Sequence, residues 1–461
     1  MTDTAYHLVG VGGIGMSAIA RLLLARGATV SGSDVRRTPL VARLEEEGVH
    51  AAIGHRAENV GDASVVVVSS AIARDNPEFV AALERKLDIV TRGAMLAQLA
   101  QGHKLVAVAG THGKTTTTAM LATIFESAGM DPTVAVGGVR VDTGTNARAG
   151  KGPWFVTESD ESDGSFLHLN PTIAVVTNIE NDHIASDAEL PQLLAQFAQF
   201  ANKVPASGRV VVGNDNRASA LVGRQTLAPV MTFATRADAH LIARDVTYGD
   251  LGSRFTVCER GTVCGDVTLR VPGEINVQNA LGAIGAALAA GIPFAAIAEA
   301  LGNFHGVQRR FQIVSRRDTG GLGDDGVRTE NTGGESAGGP NGVGRGALTI
   351  VDDYAHHPTA IAQTIAAARG FAPGVPIVVA FQPHRYTRTR YLKDDFARAL
   401  QTADHVILTP IYAASEHPLP GVSERSIGVP LEAAGTRVTY VDDVEDLLDA
   451  VPREAPEGAL V

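Results

Sequence analysis

The chain has 461 residues, 45% of them hydrophobic and 19% charged, with a formal net charge of −11. That is the composition of a globular protein of several domains, and the acidity argues against general nucleic-acid binding or an anionic membrane surface. The two cysteines, Cys258 and Cys264 in CERGTVC, make no zinc spacing and no disulfide framework, which agrees with a reducing cytoplasm.

The opening stretch MTDTAYHLVG has neither a basic n-region nor a cleavage site, so no signal peptide is expected. Residues 1–103 alternate strand-like runs (YHLVGV, ATVSGSD, ASVVVVSSAI, LDIVTR) with helical patterns, which predicts a doubly wound parallel sheet. Within it, HLVGVGGIGMS sets Gly10, Gly12 and Gly15 as G-x-G-x-x-G between a strand and a helix, and Asp34 ends the next strand-like run. Such glycines let the backbone approach a pyrophosphate at a helix N-terminus. The pattern specifies the chemical group and leaves open whether NAD or another molecule carries it.

A second unit, 104–307, opens on KLVAVAGTHGKTTTT. Gly110, Gly113, Lys114 and Thr115 form G-x-x-G-K-T between strand and helix, with Val108 where the full Walker pattern has its first glycine. Backbone N–H groups of such a loop cradle phosphates, the lysine adds charge, and the threonine hydroxyl suits Mg²⁺. Further strand runs, PWFVTESD, TIAVVTNIE and GRVVVGND, follow. The acidic segment TESDESDGSF reads alone as a solvated loop. At a strand end its Glu158, Asp160, Glu161 and Asp163 become hard oxygen ligands, and TNIENDH brings Glu180, Asp182 and His183 to another strand end. The Ala- and Gly-rich stretch 280–301 imitates a membrane span, but Gly291-Ile292-Pro293 predicts two short buried helices instead.

The third unit, 308–461, carries ALTIVDDYAHHP, PIVVAFQP, HVILTPIY and TRVTYVDD as strands. Residues 318–346 are glycine-rich and nearly without apolar side chains, and are expected to form a flexible excursion between the paired strands FQIVSRR and ALTIVDD. DDYAHHP places Asp353, Tyr354, His356 and His357 after one strand, and FQPHRYTRTR places His384, Arg385, Arg388 and Arg390 after the next. Arginine suits a bidentate grip on a carboxylate. The expected fold class is α/β, in three domains each built on a largely parallel sheet. Two phosphate loops in separate domains suit an enzyme that uses ATP on a substrate carrying its own pyrophosphate.

Taken together, GVGGIGMS, GTHGKTTT, ESDESDGSF, TNIENDH, NVQNALGAI, FHGVQRRFQ, DDYAHHPT and FQPHRYTRTR resemble the Mur ligase family, with motifs from residue 7 to about 422. The resemblance is strongest to members that join L-alanine to the lactyl carboxylate of UDP-N-acetylmuramic acid in peptidoglycan precursor synthesis. It implies ATP and Mg²⁺, an acyl-phosphate intermediate, and domains for UDP-sugar, ATP and amino acid. It assigns the UDP-sugar to Gly12, Gly13, Ile14, Gly15, Asp34 and Ser70. It assigns ATP to Gly110, Thr111, His112, Gly113, Lys114, Thr115, Thr116, Asn279, Arg310 and Asp353, and the metal to Thr115, Glu158 and His183. The amino acid falls to Tyr354, His356, His384, Arg385 and Arg388, and the catalytic roles to Lys114, His183, Arg310 and His356. His356 or His384 is a candidate base for the amine.

The resemblance also implies small-molecule partners without nucleic acid or membrane, a monomer or homodimer, cytoplasmic location and closure of the domains around the reaction. Two departures stand out. The 318–346 excursion is long, and the end at EGALV is short of a glycine-containing tail, which puts the third sheet's stability in question. The rival readings are the recycling member that joins a preformed tripeptide, and a non-catalytic nucleotide sensor.

Overall fold

The computed structural model describes residues 4–161, 163–180, 190–249, 252–318, 347–414 and 416–461. The chain divides into two compact units, one of residues up to 308 and one of residues 309–461 with short pieces near 248 and 272–274.

The first unit holds two sheets. In the first, β1 (Ala5–Val9), β2 (Thr29–Asp34), β3 (His50–Ile53), β4 (Val65–Val68) and β5 (Asp88–Thr91) lie in the order β3-β2-β1-β4-β5, all parallel. The apolar runs of β1 and β4 bury Leu8, Val9, Val66 and Val67 completely, as strands covered on both faces must. Helices α1 (Ile14–Ala25), α2 (Pro39–Glu46), α3 (Pro77–Glu84) and α4 (Arg92–Ala100) make the crossovers. Thr38, Asn76 and Thr91 cap α2, α3 and α4 through their side chains, whereas α1 starts at Gly13 without a side-chain cap. The chain leaves β1 for β2 on one side and β4 on the other, so α1 begins at the switch point where such sheets bind ligands.

The second sheet has ten strands in the order β15-β14-β13-β12-β11-β10-β6-β9-β7-β8. These are β6 (Lys104–Ala109), β7 (Thr133–Ala135), β8 (Ala147–Arg148), β9 (Trp154–Glu158), β10 (Ile173–Val176), β11 (Arg209–Gly213), β12 (Val230–Ala234), β13 (Leu241–Gly249), β14 (Gly252–Glu259) and β15 (Thr262–Leu269). The central pairs are parallel, while β7–β8 and β14–β15 are antiparallel. Helices α5 (Lys114–Ser127), α6 (Leu190–Ala201), α7 (Arg217–Gln225), α8 (Glu274–Ala289) and α9 (Phe294–Gly302) accompany it. The 280–301 stretch is two helices turned at Gly291, and among the described residues no helix is long and apolar enough to cross a membrane.

In the second unit β16 (Gln312–Asp318) pairs antiparallel with β17 (Ala347–Asp352), as expected for the strands flanking the glycine-rich segment. That segment lies outside the described residues from 319 to 346. β18 (Val378–Phe381), β19 (His405–Leu408) and β20 (Arg437–Tyr440) are parallel, with α10 (Pro358–Phe371), α11 (Tyr386–Leu400), α12 (Arg425–Ala433) and α13 (Leu447–Glu454). Leu460 bridges Thr349 and Ile377 in parallel fashion, and Val461 N donates to Thr349 O at 2.8 Å, so residues of the EGALV stretch join β17 to β18.

One buried charge organises the first sheet. Glu78, on α3, is fully buried and accepts from Ser33 Oγ (2.5 Å), Asn59 Nδ2 (2.6 Å) and Arg56 N (3.2 Å). His55 Nδ1 and His7 Nε2 stand 3.2 and 3.5 Å away. Burial opposes its charge, but the contacts from His7, Ser33 and Asn59 outweigh burial and hold the carboxyl at about 2. A depressed folded pKa stabilises the fold above the ordinary value of 4.5, and that stability is lost as pH falls toward 2. Glu78→Ala is expected to cost about 3–5 kcal/mol, the scale for breaking a buried charged network. Glu78→Gln is expected to flatten acid destabilisation between pH 4.5 and 2. Denaturant midpoints across that range check both, and unchanged midpoints would count against the network.

Candidate active site

The first glycine loop joins β1 to α1. Ser33 O accepts from Gly10 N (2.8 Å) and Val11 N (2.9 Å), and Asp34 Oδ2 accepts from Gly12 N at 2.9 Å. A Cβ at Gly12 would stand 2.8 Å from that same carboxylate oxygen and 2.7 Å from Val41 Cγ2, so a larger residue would have to push aside the Asp34 brace or Val41. The loop delivers the uncapped N-terminus of α1, with no acidic residue in its first turn, to the crevice. Asp34 thus braces the loop. Ser70 is exposed just beyond β4.

The second loop joins β6 to α5, and the segment just past β10 holds it from the side. Thr111 N donates to Asn178 O (2.9 Å), His112 N to Asn178 Oδ1 (2.8 Å), and Thr177 Oγ1 to His112 O (2.6 Å). Glu180 N donates to Thr111 Oγ1 at 2.8 Å, and His112 Nε2 lies 3.1 Å from Glu180 Oε2. At Gly113 the backbone has φ +83°, and a Cβ there would fall 2.1 Å from Asn279 Oδ1. Asn279, buried on α8, therefore packs against the loop itself, and its Nδ2 donates to Asn276 Oδ1 at 3.3 Å. Thr116 is buried in the first turn of α5.

Parallel β6 and β9 end side by side, which brings the acidic segment onto this loop. Lys114 Nζ donates to Gly110 O (2.5 Å) and to both oxygens of Glu161 (2.8 and 3.1 Å). Burial works to lower the Lys114 pKa, but the charges of Glu161, Asp160 and Glu158 push it above the ordinary lysine value. Thr115 Oγ1 donates to Glu158 Oε2 at 2.8 Å, and Gly137 N donates to the other oxygen of Glu158. A hydroxyl and a carboxylate so close are two hard oxygen donors at one point, the set that suits Mg²⁺. His183 lies outside the described residues.

In the second unit a ring cluster follows β17 and β18. His356 Nδ1 lies 2.8 Å from Tyr354 O, the Tyr354 and His356 rings meet edge-on at 5.0 Å, and the His384 ring lies 5.9 Å from that of His356. His384 stacks on Tyr412 at 5.6 Å, and Arg388 Nη1 reaches His384 Nδ1 at 3.3 Å. The guanidinium carbons of Arg309 and Arg310 lie 4.8 and 5.5 Å from the Tyr354 ring centre. Arg388 is buried, while Arg385 is exposed at the start of α11 with φ +70°. Asp353 accepts from Phe311 N and Ala355 N, each at 2.8 Å, so both its oxygens hold backbone within the unit. Burial pushes its carboxyl up, against those bonds and the charge of Arg310.

The structure thus gathers Lys114, Thr115, Glu158 and Asn279 in the first unit, and Tyr354, His356, His384 and Arg388 in the second. Glu161, expected from the sequence as one of four hard oxygen ligands, instead pairs with Lys114; Glu180 had no expected role, and neither did Asn178, Arg92, Tyr412 or Glu416. Glu416 accepts from Thr387 N and Oγ1 at 3.0 and 2.6 Å, at the start of α11. Asn178 lies within the quoted stretches TIAVVTNIE and TNIENDH, and its place just after the apolar IAVV was the available signal.

This chain belongs to the Mur ligase family. Family models described as the Mur ligase family catalytic domain, the Mur ligase middle domain and the Mur ligase glutamate ligase domain match residues 5–104, 108–287 and 341–461. A UDP-N-acetylmuramate–L-alanine ligase from Acidithiobacillus ferrooxidans is 44% identical over 460 residues, covering 99% of this chain and 93% of the relative. The crystal structure of a UDP-N-acetylmuramate–alanine ligase from Thermotoga maritima matches with a TM-score of 0.81 at 29% identity, over 99% of this chain and 94% of that one. A murein peptide ligase from Psychrobacter arcticus, at 24% identity, TM-score 0.72 and coverage of 99% and 94%, shares the fold.

Gly113→Ala is expected to weaken binding of a nucleoside triphosphate at least 100-fold, because the added methyl strains a left-handed position and strikes Asn279. Calorimetric titration with a non-hydrolysable ATP analogue checks this, and near-normal affinity would show that the loop does not carry the phosphates.

Proposed function

We propose that this protein joins L-alanine to the lactyl carboxylate of UDP-N-acetylmuramic acid, with cleavage of ATP to ADP and phosphate. The observation that carries the reading is the pairing of two phosphate-binding loops in one chain, at Gly12–Gly15 and at Gly110–Lys114. One suits the pyrophosphate of a UDP-sugar and the other a triphosphate, and the Acidithiobacillus and Thermotoga relatives are named as ligases of UDP-N-acetylmuramate. The supporting division is into 1–103 for the UDP-sugar, 104–307 for ATP and 308–461 for the amino acid, in a cytoplasmic enzyme.

A carboxylate is a poor electrophile. The lactyl carboxylate oxygen therefore takes the γ-phosphoryl group of ATP, ADP departs, and an acyl phosphate remains. The alanine amine attacks its carbonyl carbon, and the tetrahedral adduct collapses with loss of phosphate. Lys114 holds charge on the transferring phosphoryl group, and the backbone N–H groups of residues 110–114 orient it. Thr115 and Glu158, with His183 assigned by resemblance, would hold Mg²⁺, which when bound offsets charge on the phosphates. Arg310 is assigned to the γ-phosphate, Asn279 and Asp353 to the nucleoside. Arg385 and Arg388 grip the alanine carboxylate beside Tyr354, and His356 or His384 takes the amine proton.

Phosphate release is expected to require ATP, UDP-N-acetylmuramic acid and L-alanine together, with a new amide by mass. Turnover with tripeptide and not alanine would move the assignment to the recycling reaction, and binding without turnover would make the chain a sensor. Arg388→Ala is expected to raise KM for alanine at least tenfold with little change in KM for ATP. His356→Asn and His384→Asn profiles of rate against pH test the base, and two unmoved profiles would sink that role.

A further inference from the structure

The acidic turn after β9 touches the cations of both phosphate-binding loops. Toward the first loop, Arg92 Nη2 binds Asp163 Oδ2 at 3.0 Å and Asp160 Oδ2 at 3.6 Å. Arg92 opens α4, and its Cδ and Nη1 would lie 3.1 and 3.2 Å from a Cβ at Gly15, so its guanidinium stands at the first turn of α1. Toward the second loop, Glu161 binds Lys114 at 2.8 Å, with side chains 3% and 16% exposed. The carboxylates are tied together through the turn itself. Gly164 N donates to Glu161 O (3.1 Å), Phe166 N and Ser165 Oγ donate to Asp160 O (3.2 Å each), and Ser165 N donates to Asp163 Oδ1 (2.9 Å).

A phosphate arriving at the N-terminus of α1 meets Arg92 already paired. Phosphates arriving at residues 110–113 meet Lys114 already paired. A carboxylate and a phosphate repel each other around one half-buried cation, so the arriving anion competes with the carboxylate for it. Because Asp160, Glu161 and Asp163 share one turn, displacing one end loosens the other.

We propose that the turn carrying Asp160, Glu161 and Asp163 is an electrostatic latch that couples the two loops, so that the nucleoside triphosphate and the UDP-linked substrate each raise the affinity for the other. This rests on the reading of the two loops given above. The first anion to bind bears the cost of releasing the turn, and the second binds a site already freed. Linkage makes the effect the same in both directions.

The test is calorimetry on the full chain with Mg²⁺ and a non-hydrolysable ATP analogue, with and without saturating UDP-N-acetylmuramic acid, and then the reverse. Wild type is expected to bind each ligand about five- to tenfold more tightly in the presence of the other. Asp163→Asn, which keeps an oxygen for Ser165 N, and Glu161→Gln are expected to bind both ligands with that ratio reduced toward one. Glu161→Gln is also expected to bind the analogue more tightly than wild type when alone. A merely structural role would weaken binding in both states and leave the ratio intact. Equal affinities with and without the partner ligand, or an unchanged ratio in both variants, would overturn the latch. Failure of wild type to bind either ligand alone would instead overturn the reading of the loops, and the latch with it.

Discussion

Lys114 is a half-buried cation, its side chain 16% exposed, and much of the first unit is arranged to pair it. Its ammonium has the carbonyl of Gly110 on one side and the carboxylate of Glu161 on the other. A charge so placed is tolerable only when paired, and without Glu161 the burial penalty would fall on the fold itself. The partner can be there because β6 and β9 are adjacent and parallel, so both strands end at the same edge. The segment just past β10, which lies on the other side of β6, supplies the bonds from Thr177, Asn178 and Glu180 that give the loop its shape.

The first sheet solves the same problem with different parts. Its loop is braced by Asp34 and by the carbonyl of Ser33, whose hydroxyl donates to the buried Glu78. Arg92 provides the cation beside the loop, again balanced by carboxylates when no anion is bound. On the proposed reading both sites would exchange protein carboxylates for ligand phosphates, so that neither cation stands alone in either state. The second unit differs in kind. Its Tyr354, His356, His384 and Arg388 form a mixed ring and guanidinium cluster, suited to a small zwitterion and to proton transfer near neutrality.

The parts legible in the sequence were those with strong local chemistry. Four of the first sheet's five strands showed as strand-like runs between helical patterns, the short edge strand β3 did not, and the two loops showed as glycine spacings. The strand β13 did not show, because polar and charged side chains such as Arg244 and Asp245 cut its apolar run short. β7 and β8 are three and two residues long and make no periodic signal. Glu161 was visible as one acid among four, and its pairing with Lys114 depends on strand order, which no local pattern encodes. Asn279 was assigned to the nucleotide by resemblance, while its packing against Gly113 is a fact of tertiary structure.

The central claim is that the charge of Lys114 is kept for a triphosphate. The direct measurement is the affinity of a non-hydrolysable ATP analogue for Lys114→Met, with circular dichroism to establish that the variant is folded. Loss of at least 100-fold in affinity in a folded protein is the predicted result. Affinity within about threefold of wild type would contradict the account, and would leave Lys114 and Glu161 as a structural ion pair.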